Sequence, residues 1–126
     1  NDAAIRLLTR HGIEVVIAAG ESCCGALPHH MGRDGQAHAL AAGNIEAWTR
    51  EMDREGLDAI LTTTSGCGTT LKDYGFLFRT DPAMKDRAAR VAGIAVDVWR
   101  AGIRTHHAVR GCGEPARNRM DQVAIL

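Results

Sequence analysis

Two short apolar runs, each following a helix-ending glycine, constrain the fold of this chain more than any other feature. Residues 10–13 lead into Val15–Ala18, and residues 54–57 lead into Ala59–Leu61. A basic residue before each glycine suits the last turn of a helix, and glycine then takes the left-handed conformation that ends it. Continuous apolar runs of this length are typical of strands buried on both faces of a parallel sheet.

Helical patterns fill the rest of the chain up to residue 100. Apolar residues recur at steps of three or four over 34–54 and over 81–100, which gives each segment one apolar face. Asp81 before Pro82 suits a helix start, because the carboxylate caps free amides and proline fits the first helical position. Shorter helices are predicted over 1–11 and 68–78.

This alternation predicts an α/β fold: a mainly parallel sheet with flanking helices and cysteine loops at the carboxyl ends of its strands. A third junction, at 100–103, precedes a weaker strand candidate, Ile103–Val109. We expect one domain over residues 1–102, truncated at its N-terminus, and a divergent or irregular tail over 103–126. The chain lacks an initial Met and begins inside a helical pattern, so we expect it to be a fragment of a longer protein.

The charge balance argues against several classes of partner. The 15 basic and 15 acidic residues cancel and form no block of like charge, so no nucleic-acid partner is expected. No apolar run approaches the roughly 20 residues that span a bilayer. The first residues do not have the pattern of a signal peptide. We therefore expect a cytoplasmic protein.

Four cysteines carry the chemistry of the sequence: Cys23, Cys24, Cys67 and Cys112. Neighbouring Cα atoms lie about 3.8 Å apart, which is shorter than the roughly 4.4–6.8 Å found across disulfides. Cys23 and Cys24 should therefore not bridge each other. Without a secretion signal, we expect reduced thiols or metal thiolates.

The positions of three of these cysteines predict a metal site. Cys23 and Cys24 follow the first strand and Cys67 follows the second, and ligands gather beyond the carboxyl ends of parallel strands. If the two strands are adjacent, their loops meet. Three converging thiolates favour zinc or an iron–sulfur cluster, and the spacing leaves the metal open. The alternative is that each cysteine is buried as a small apolar residue.

A histidine pair after the first cysteine loop is a further candidate. His29 and His30 can donate hydrogen bonds to cluster sulfur or replace a thiolate ligand. A helix-start pair with one ring packed and one solvated is the alternative. The sequence contains no defensible catalytic triad or carboxylate pair, and no complete phosphate-loop motif.

The motifs around the cysteines resemble the CCG cysteine-rich domain family. Glu21–Gly32 reads ESCCGALPHHMG and Thr64–Gly68 reads TSGCG. Within that family, Gly43–Trp48 and Lys72–Gly75 resemble the iron–sulfur subunits of bacterial glycolate oxidases. The resemblance covers most of the chain, from about residue 2 to residue 99.

This resemblance implies an iron–sulfur cluster of the 4Fe-4S type. In the related heterodisulfide reductase subunit, an upstream Cys, a Cys pair and a later C-x-x-C hold the cluster. Cys23, Cys24 and Cys67 match the pair and the final Cys. Thr64 stands where that C-x-x-C begins, and the upstream Cys would precede residue 1, so the ligand set is incomplete here. The residues implied to surround the cluster are Gly25, His29, His30, Ser65 and Gly66.

The resemblance also implies a non-catalytic, electron-transfer role. A flavin-containing oxidase subunit would oxidise glycolate or another 2-hydroxy acid, and this subunit would pass the electrons to an acceptor such as a membrane quinone. Other subunits of the same complex would hold it at the inner face of the cytoplasmic membrane. Another CCG-domain reductase subunit, heterodisulfide reductase-like or for lactate utilisation, is the alternative within the family. A structural zinc-binding module is the alternative of another class.

Overall fold

A computed structural model describes residues 2–97 and 121–126 of the chain. In this part of the chain the elements are, in order, α1 (Asp2–Arg10), β1 (Glu14–Val16), α2 (Ala26–His30), α3 (Asp34–Arg54), β2 (Ala59–Thr62), α4 (Ser65–Leu77), α5 (Lys85–Ile94), β3 (Ala95–Asp97) and β4 (Gln122–Ile125). Every strand pair in the described sheet is parallel. The predicted α/β fold with a parallel sheet and flanking helices is therefore confirmed.

The strand order corrects one expectation about the cysteine loops. The strands lie in the order β1-β4-β2-β3. The last strand pairs with both β1 and β2, through Val15 with Val123 and through Ile60 with Ala124. The two strands that precede the cysteine loops are therefore not neighbours, because β4 separates them.

The last strand also falls inside the segment that we expected to be irregular. Gln122–Ile125 is buried over most of its length and lies in the interior of the sheet. The expected tail over 103–126 thus contributes a strand to the fold. Its remainder up to residue 120, with the strand candidate Ile103–Val109 and with Cys112, lies outside the described residues, and the division at residue 102 stays a prediction.

The predicted helix boundaries agree with the structure in most places. The helix α3 has the predicted bounds, and Gly12 and Gly56 have φ angles of +75° and +86° after α1 and α3. Two helices differ. Helix α4 begins at Ser65 rather than residue 68. Helix α5 begins at Lys85 rather than residue 81, and it ends at Ile94 because Ala95–Asp97 pairs with β2.

The core lies on both faces of the sheet. Ile60 and Ala124 face a layer formed by α3, α4 and α5, in which the side chain of Trp48 is completely buried. Leu61 and Val123 face the opposite way and pack with Leu8 of α1. Full burial of a large apolar side chain contributes about 1.5–3 kcal/mol. The helices are therefore held at defined positions beside the carboxyl ends of the strands.

Candidate metal centre

Two of the three predicted ligands meet in the structure. Cys24 Sγ lies 3.1 Å from Cys67 Sγ, although the residues are 43 positions apart in sequence. Cys24 is 2% exposed, and Cys67 is half-buried in the first turn of α4. The positive end of the helix dipole favours negative charge at such a first-turn position.

Cys23 does not share this contact. Its side chain is exposed, whereas that of the adjacent Cys24 is buried. Within residues 2–97 and 121–126, no group of three His, Cys, Asp or Glu side chains is arranged to hold a metal ion. The structure thus brings two of the three predicted thiols together and leaves the third, that of Cys23, exposed on the residue before Cys24.

Burial determines the protonation state of the pair. Burial first, and then the hydrogen bond with Cys67, raises the pKa of the Cys24 thiol to about 12. The raised pKa favours the protonated thiol. A metal ion favours the thiolate instead, because it binds the thiolate and displaces the proton. Two thiolates are soft ligands that suit zinc and iron–sulfur centres alike. Their 3.1 Å separation is shorter than the roughly 3.8 Å between sulfur ligands of a tetrahedral zinc site, so entry of a metal would separate the sulfurs.

The cysteine loop passes close to helix α3, and a glycine permits this. Gly25 has a φ angle of +83°, and a Cβ atom there would lie 3.0 Å from the carbonyl oxygen of Ala37. An L-residue with a side chain would therefore meet both backbone strain and a steric clash. The CCG sequence needs its glycine for this local reason.

Asn44 of α3 holds the loop from inside. Its side chain is completely buried, and its Oδ1 accepts a 2.7 Å hydrogen bond from the amide of Ser22. Its Nδ2 donates to the carbonyls of Ser22 and Cys23, at 3.2 and 3.1 Å. A buried amide is costly unless it is paired, and here the cysteine loop supplies its partners.

Tyr74 of α4 holds the next residue of the loop. Its hydroxyl donates a 2.7 Å hydrogen bond to the carbonyl of Cys24, and Asn44 Nδ2 lies 3.4 Å from the same hydroxyl. Burial raises the pKa of Tyr74 above its ordinary value, so the hydroxyl keeps the proton that it donates. Side chains of both α3 and α4 therefore hold the cysteine loop in place through hydrogen bonds.

A second contact fixes the start of the loop. Trp48 Nε1 donates to Glu21 Oε2 at 3.1 Å, and the amide of Ala18 donates to the same oxygen at 3.3 Å. Burial raises the pKa of Glu21, and the Trp48 hydrogen bond opposes this rise. Arg50 donates to the carbonyl of Ala19 at 2.8 Å. Helix α3 thus donates several hydrogen bonds to the segment between β1 and Cys23.

A cleft of about 1160 Å³ opens beside Cys24. Its lining includes every residue that the family resemblance implies around a cluster, and these are Gly25, His29, His30, Ser65 and Gly66. His29 and His30 are exposed on α2, and His29 Nδ1 lies 3.8 Å from Asp34 Oδ1. The implied surrounding residues therefore share one cavity with a buried thiol, and hydrogen bonding from the histidines to a cluster stays a prediction.

Sequence reasoning missed the residues that hold the loop. Asn44 and Trp48 lie in one segment quoted for the family resemblance and Tyr74 in the other, but none was assigned a role. One signal was present: Asn44 is a polar residue beside the apolar stripe of a long amphipathic helix. Such a residue needs a polar partner if it is buried, but its partner is 22 positions away.

Comparisons with known proteins support the resemblance drawn from the motifs. The profile of the CCG cysteine-rich domain family matches residues 1–72. The glycolate oxidase iron-sulfur subunit of Escherichia coli (strain K12) is 40% identical over 98 residues, which cover 78% of this chain and 24% of that protein. The probable glycolate oxidase iron-sulfur subunit of Bacillus subtilis (strain 168) is 38% identical over 89 residues, or 71% of this chain and 19% of that protein.

A third relative has a different name. Lactate utilization protein A of Bacillus licheniformis is 29% identical over 90 residues, which cover 71% of this chain and 35% of that protein. The chain thus spans about a quarter of the Escherichia coli relative's length. No solved structure matches it. None of the helices in the described ranges has the length and apolar character needed to cross a membrane.

Proposed function

Because this chain belongs to the CCG cysteine-rich domain family, we propose that it forms part of an iron–sulfur electron-transfer subunit of a glycolate oxidase-like complex. The observation that carries the proposal is the contact between Cys24 and Cys67 at the carboxyl edge of a parallel sheet. Two thiols that are 43 positions apart in sequence meet there. Two relatives are named as iron-sulfur subunits, and these names support an iron–sulfur cluster as the kind of metal centre.

Cys23, Cys24 and Cys67 would supply the thiolate ligands. An iron–sulfur cluster of the 4Fe-4S type would provide one-electron chemistry at this edge of the sheet. Its remaining ligand would come from outside the described residues. The burial of Cys24 and the hydrogen bonds that hold its loop would keep the site rigid and partly shielded from water. Solvent exposure is one of the factors that set a cluster potential.

The substrate chemistry would occur elsewhere in the complex. A flavin-containing subunit would oxidise glycolate or a related 2-hydroxy acid, and this chain would carry the electrons towards an acceptor such as a membrane quinone. Association with that subunit would bring the chain to the inner face of the cytoplasmic membrane. The relatives' names as subunits of glycolate oxidase support a complex of several chains.

A lactate-utilisation subunit is the second candidate. It is supported by the similarity to lactate utilization protein A over 90 residues. The same cysteines would hold the cluster, and the two candidates would differ in the 2-hydroxy acid that the partner oxidises. Electron transfer from purified flavin subunits supplied with glycolate or with lactate separates them.

Anaerobic reconstitution with iron and sulfide tests the metal centre. Visible absorption and electron paramagnetic resonance should show an iron–sulfur cluster, and metal analysis should find iron and acid-labile sulfide in similar amounts. The variant Cys24→Ser should lose most of this signal, because serine cannot replace the buried thiolate. Cys112→Ser is the matched control and should keep it.

Three results would speak against the proposal. One is a protein that binds zinc stoichiometrically and shows no cluster signal, which would support a structural zinc module. Another is the absence of any metal in the protein when it is produced together with the other subunits of its complex. Equal losses of cluster in Cys24→Ser and Cys112→Ser would show that the assigned ligands are wrong.

A further inference from the structure

Three successive carbonyl groups of the cysteine loop point at the same two side chains. Those of Ser22 and Cys23 accept hydrogen bonds from Asn44 Nδ2, and that of Cys24 accepts from the hydroxyl of Tyr74. Asn44 and Tyr74 are both completely buried and lie 3.4 Å apart, between Nδ2 and the hydroxyl oxygen. The two helices therefore fix three consecutive peptide groups together.

The orientation of these carbonyls determines the orientation of the amides. A peptide group is planar and trans, so its N–H points opposite to its C=O. The amides of Cys23, Cys24 and Gly25 must then point away from Asn44 and Tyr74. Within the described part of the chain, none of these three amides donates a hydrogen bond. They are free to donate to another acceptor.

The Cys24 thiol lies in the same loop as these amides, and the sulfur of a cysteine ligand or of a bound cluster can accept hydrogen bonds from amides. The backbone amide of Ala26, the first residue of α2, lowers the pKa of the Cys24 thiol and so opposes the effect of burial. Amide donors to cluster or cysteine sulfur stabilise the reduced, more negative state and so raise the reduction potential. Control of the peptide orientation would therefore also control the potential.

We propose that Asn44 and Tyr74 are positioning residues that turn the peptide groups of Cys23 and Cys24 towards the metal centre and so tune its reduction potential. This inference rests on the proposed iron–sulfur function. It assigns a role to two residues that touch neither metal nor thiol. The hydrogen bonds run to backbone atoms, so the effect passes through the loop and leaves the ligand atoms unchanged.

Two variants test the inference at the level of the loop. Tyr74→Phe deletes one hydroxyl and keeps the packed ring, and Asn44→Ala deletes the amide. In the metal-free protein, iodoacetamide should alkylate Cys24 about three- to tenfold faster in Tyr74→Phe, the change that corresponds to one net hydrogen bond. Asn44→Ala should increase the alkylation rate more than Tyr74→Phe does, because it frees two carbonyl groups, those of Ser22 and Cys23. Peptide mass spectrometry reports the alkylation of each cysteine.

The reconstituted protein provides a second readout. Tyr74→Phe should bind a cluster with a more negative midpoint potential and an altered electron paramagnetic resonance line shape. Leu8→Ala is the control, since Leu8 packs on the opposite face of the sheet and its loss lowers stability without touching the loop. That control should leave the alkylation of Cys24 and the potential as in the wild type.

The outcomes separate this inference from the proposed function. Wild-type values for both readouts in Tyr74→Phe would overturn the positioning role. So would equal changes in Leu8→Ala, since these would show a general effect of stability. A wild-type protein without a cluster would instead overturn the proposed function, and the alkylation of the metal-free protein would still decide the structural part of the inference.

Discussion

Glu21 is a residue whose ionisation reports on the packing of the cysteine loop. It is half-buried and accepts hydrogen bonds from Trp48 and from the amide of Ala18. Burial raises its pKa above the ordinary value of 4.5. The folded state then keeps a proton that the unfolded chain releases, so the stability that Glu21 contributes is present below about pH 4.5 and is lost as the pH rises through the raised pKa.

The variant Glu21→Gln should remove this pH dependence. Glutamine keeps an oxygen that can accept from Trp48 but cannot ionise. Its melting temperature should match the wild type near pH 4 and exceed it at pH 7, which circular dichroism over a pH series measures. Glu46→Gln, at an exposed site on the same helix, is the control. A difference between Glu21→Gln and wild type that shrinks with rising pH would contradict the sign of the effect.

The close thiol pair predicts a specific disulfide in the metal-free protein. Oxidised glutathione should form a mixed disulfide with the half-buried Cys67, and Cys24, whose sulfur lies 3.1 Å away, should then displace glutathione. Two reduced glutathione molecules leave and one Cys24–Cys67 bond forms. Peptide mapping without reductant should find this link and little Cys23–Cys24 link. Cys67→Ser should abolish it; a dominant link between Cys23 and another thiol would refute the geometry.

The residues of the candidate site differ in how far the sequence reveals them. Cys24 and Cys67 could be predicted because thiol chemistry belongs to the residue type and both follow predicted strands. Asn44 and Tyr74 could not, because their roles depend on which backbone groups they meet. Those contacts span 21 to 50 positions, and a helical pattern carries no information about them.

The start of α4 shows how closely one element approaches another. A Cβ atom at Gly68 would lie 2.9 Å from Thr62 Oγ1 at the end of β2, whereas one at Gly66 would meet nothing within 4 Å. Neither glycine has a positive φ. The two glycines therefore differ in the room available for a side chain and not in the sign of φ. The close packing at Gly68 brings Cys67 to the end of β2.

The paired variants Gly68→Ala and Gly66→Ala should therefore have opposite effects. Gly68→Ala overpacks the helix–strand contact and should lower the free energy of unfolding by about 1–3 kcal/mol. Gly66→Ala should raise it by up to about 1 kcal/mol, because alanine loses less entropy in a helix. Urea denaturation midpoints measure both. An equal loss in the two variants would show that the separation from Thr62 is not the cause.

Element boundaries were predictable where the sequence marks them chemically. Gly12 and Gly56 end α1 and α3 as expected, since glycine reaches the left-handed conformation at little cost. The end of α5 has no such mark. Ala95 continues the helical spacing, but Ile94–Val96 is also a short apolar run, so the local pattern is compatible with either a helix or a strand. Residues 95–97 form a strand because they pair with β2, and the sequence near residue 95 does not reveal that pairing.

At the scale of the whole molecule, the sheet joins the two ends of the described chain. Glu14 pairs with Gln122, and the carboxylate of Asp58 accepts the amides of Asp121 and Gln122 at 2.8 and 3.0 Å. The parallel arrangement was predictable from the alternation of helices and strands. The insertion of β4 between β1 and β2 was not, because a four-residue apolar segment at a chain end has no partner that the sequence identifies.

This insertion predicts that the last residues are needed for the cysteine site to form. In the described residues, β1 pairs with β4 and with no other strand, so removal of 121–126 leaves it without a sheet partner. The truncated chain should lose cooperative thermal unfolding, and Cys24 should become freely accessible to alkylation. Ala124→Asp should act in the same way, because the carboxylate would enter a completely buried position.

The control for both changes is Gln122→Ala. Gln122 belongs to the same strand, but its side chain is only half-buried and bonds to Glu14 at an exposed site. Surface substitutions of this kind change stability by about 0.5 kcal/mol or less, so this variant should unfold cooperatively and protect Cys24 as the wild type does. Cooperative unfolding of the truncated chain with a protected Cys24 would mean that β4 is dispensable. Loss of protection in the truncated chain and in Ala124→Asp, but not in Gln122→Ala, would tie the candidate metal centre to β4, although Cys24 and Gln122 are 98 positions apart in sequence.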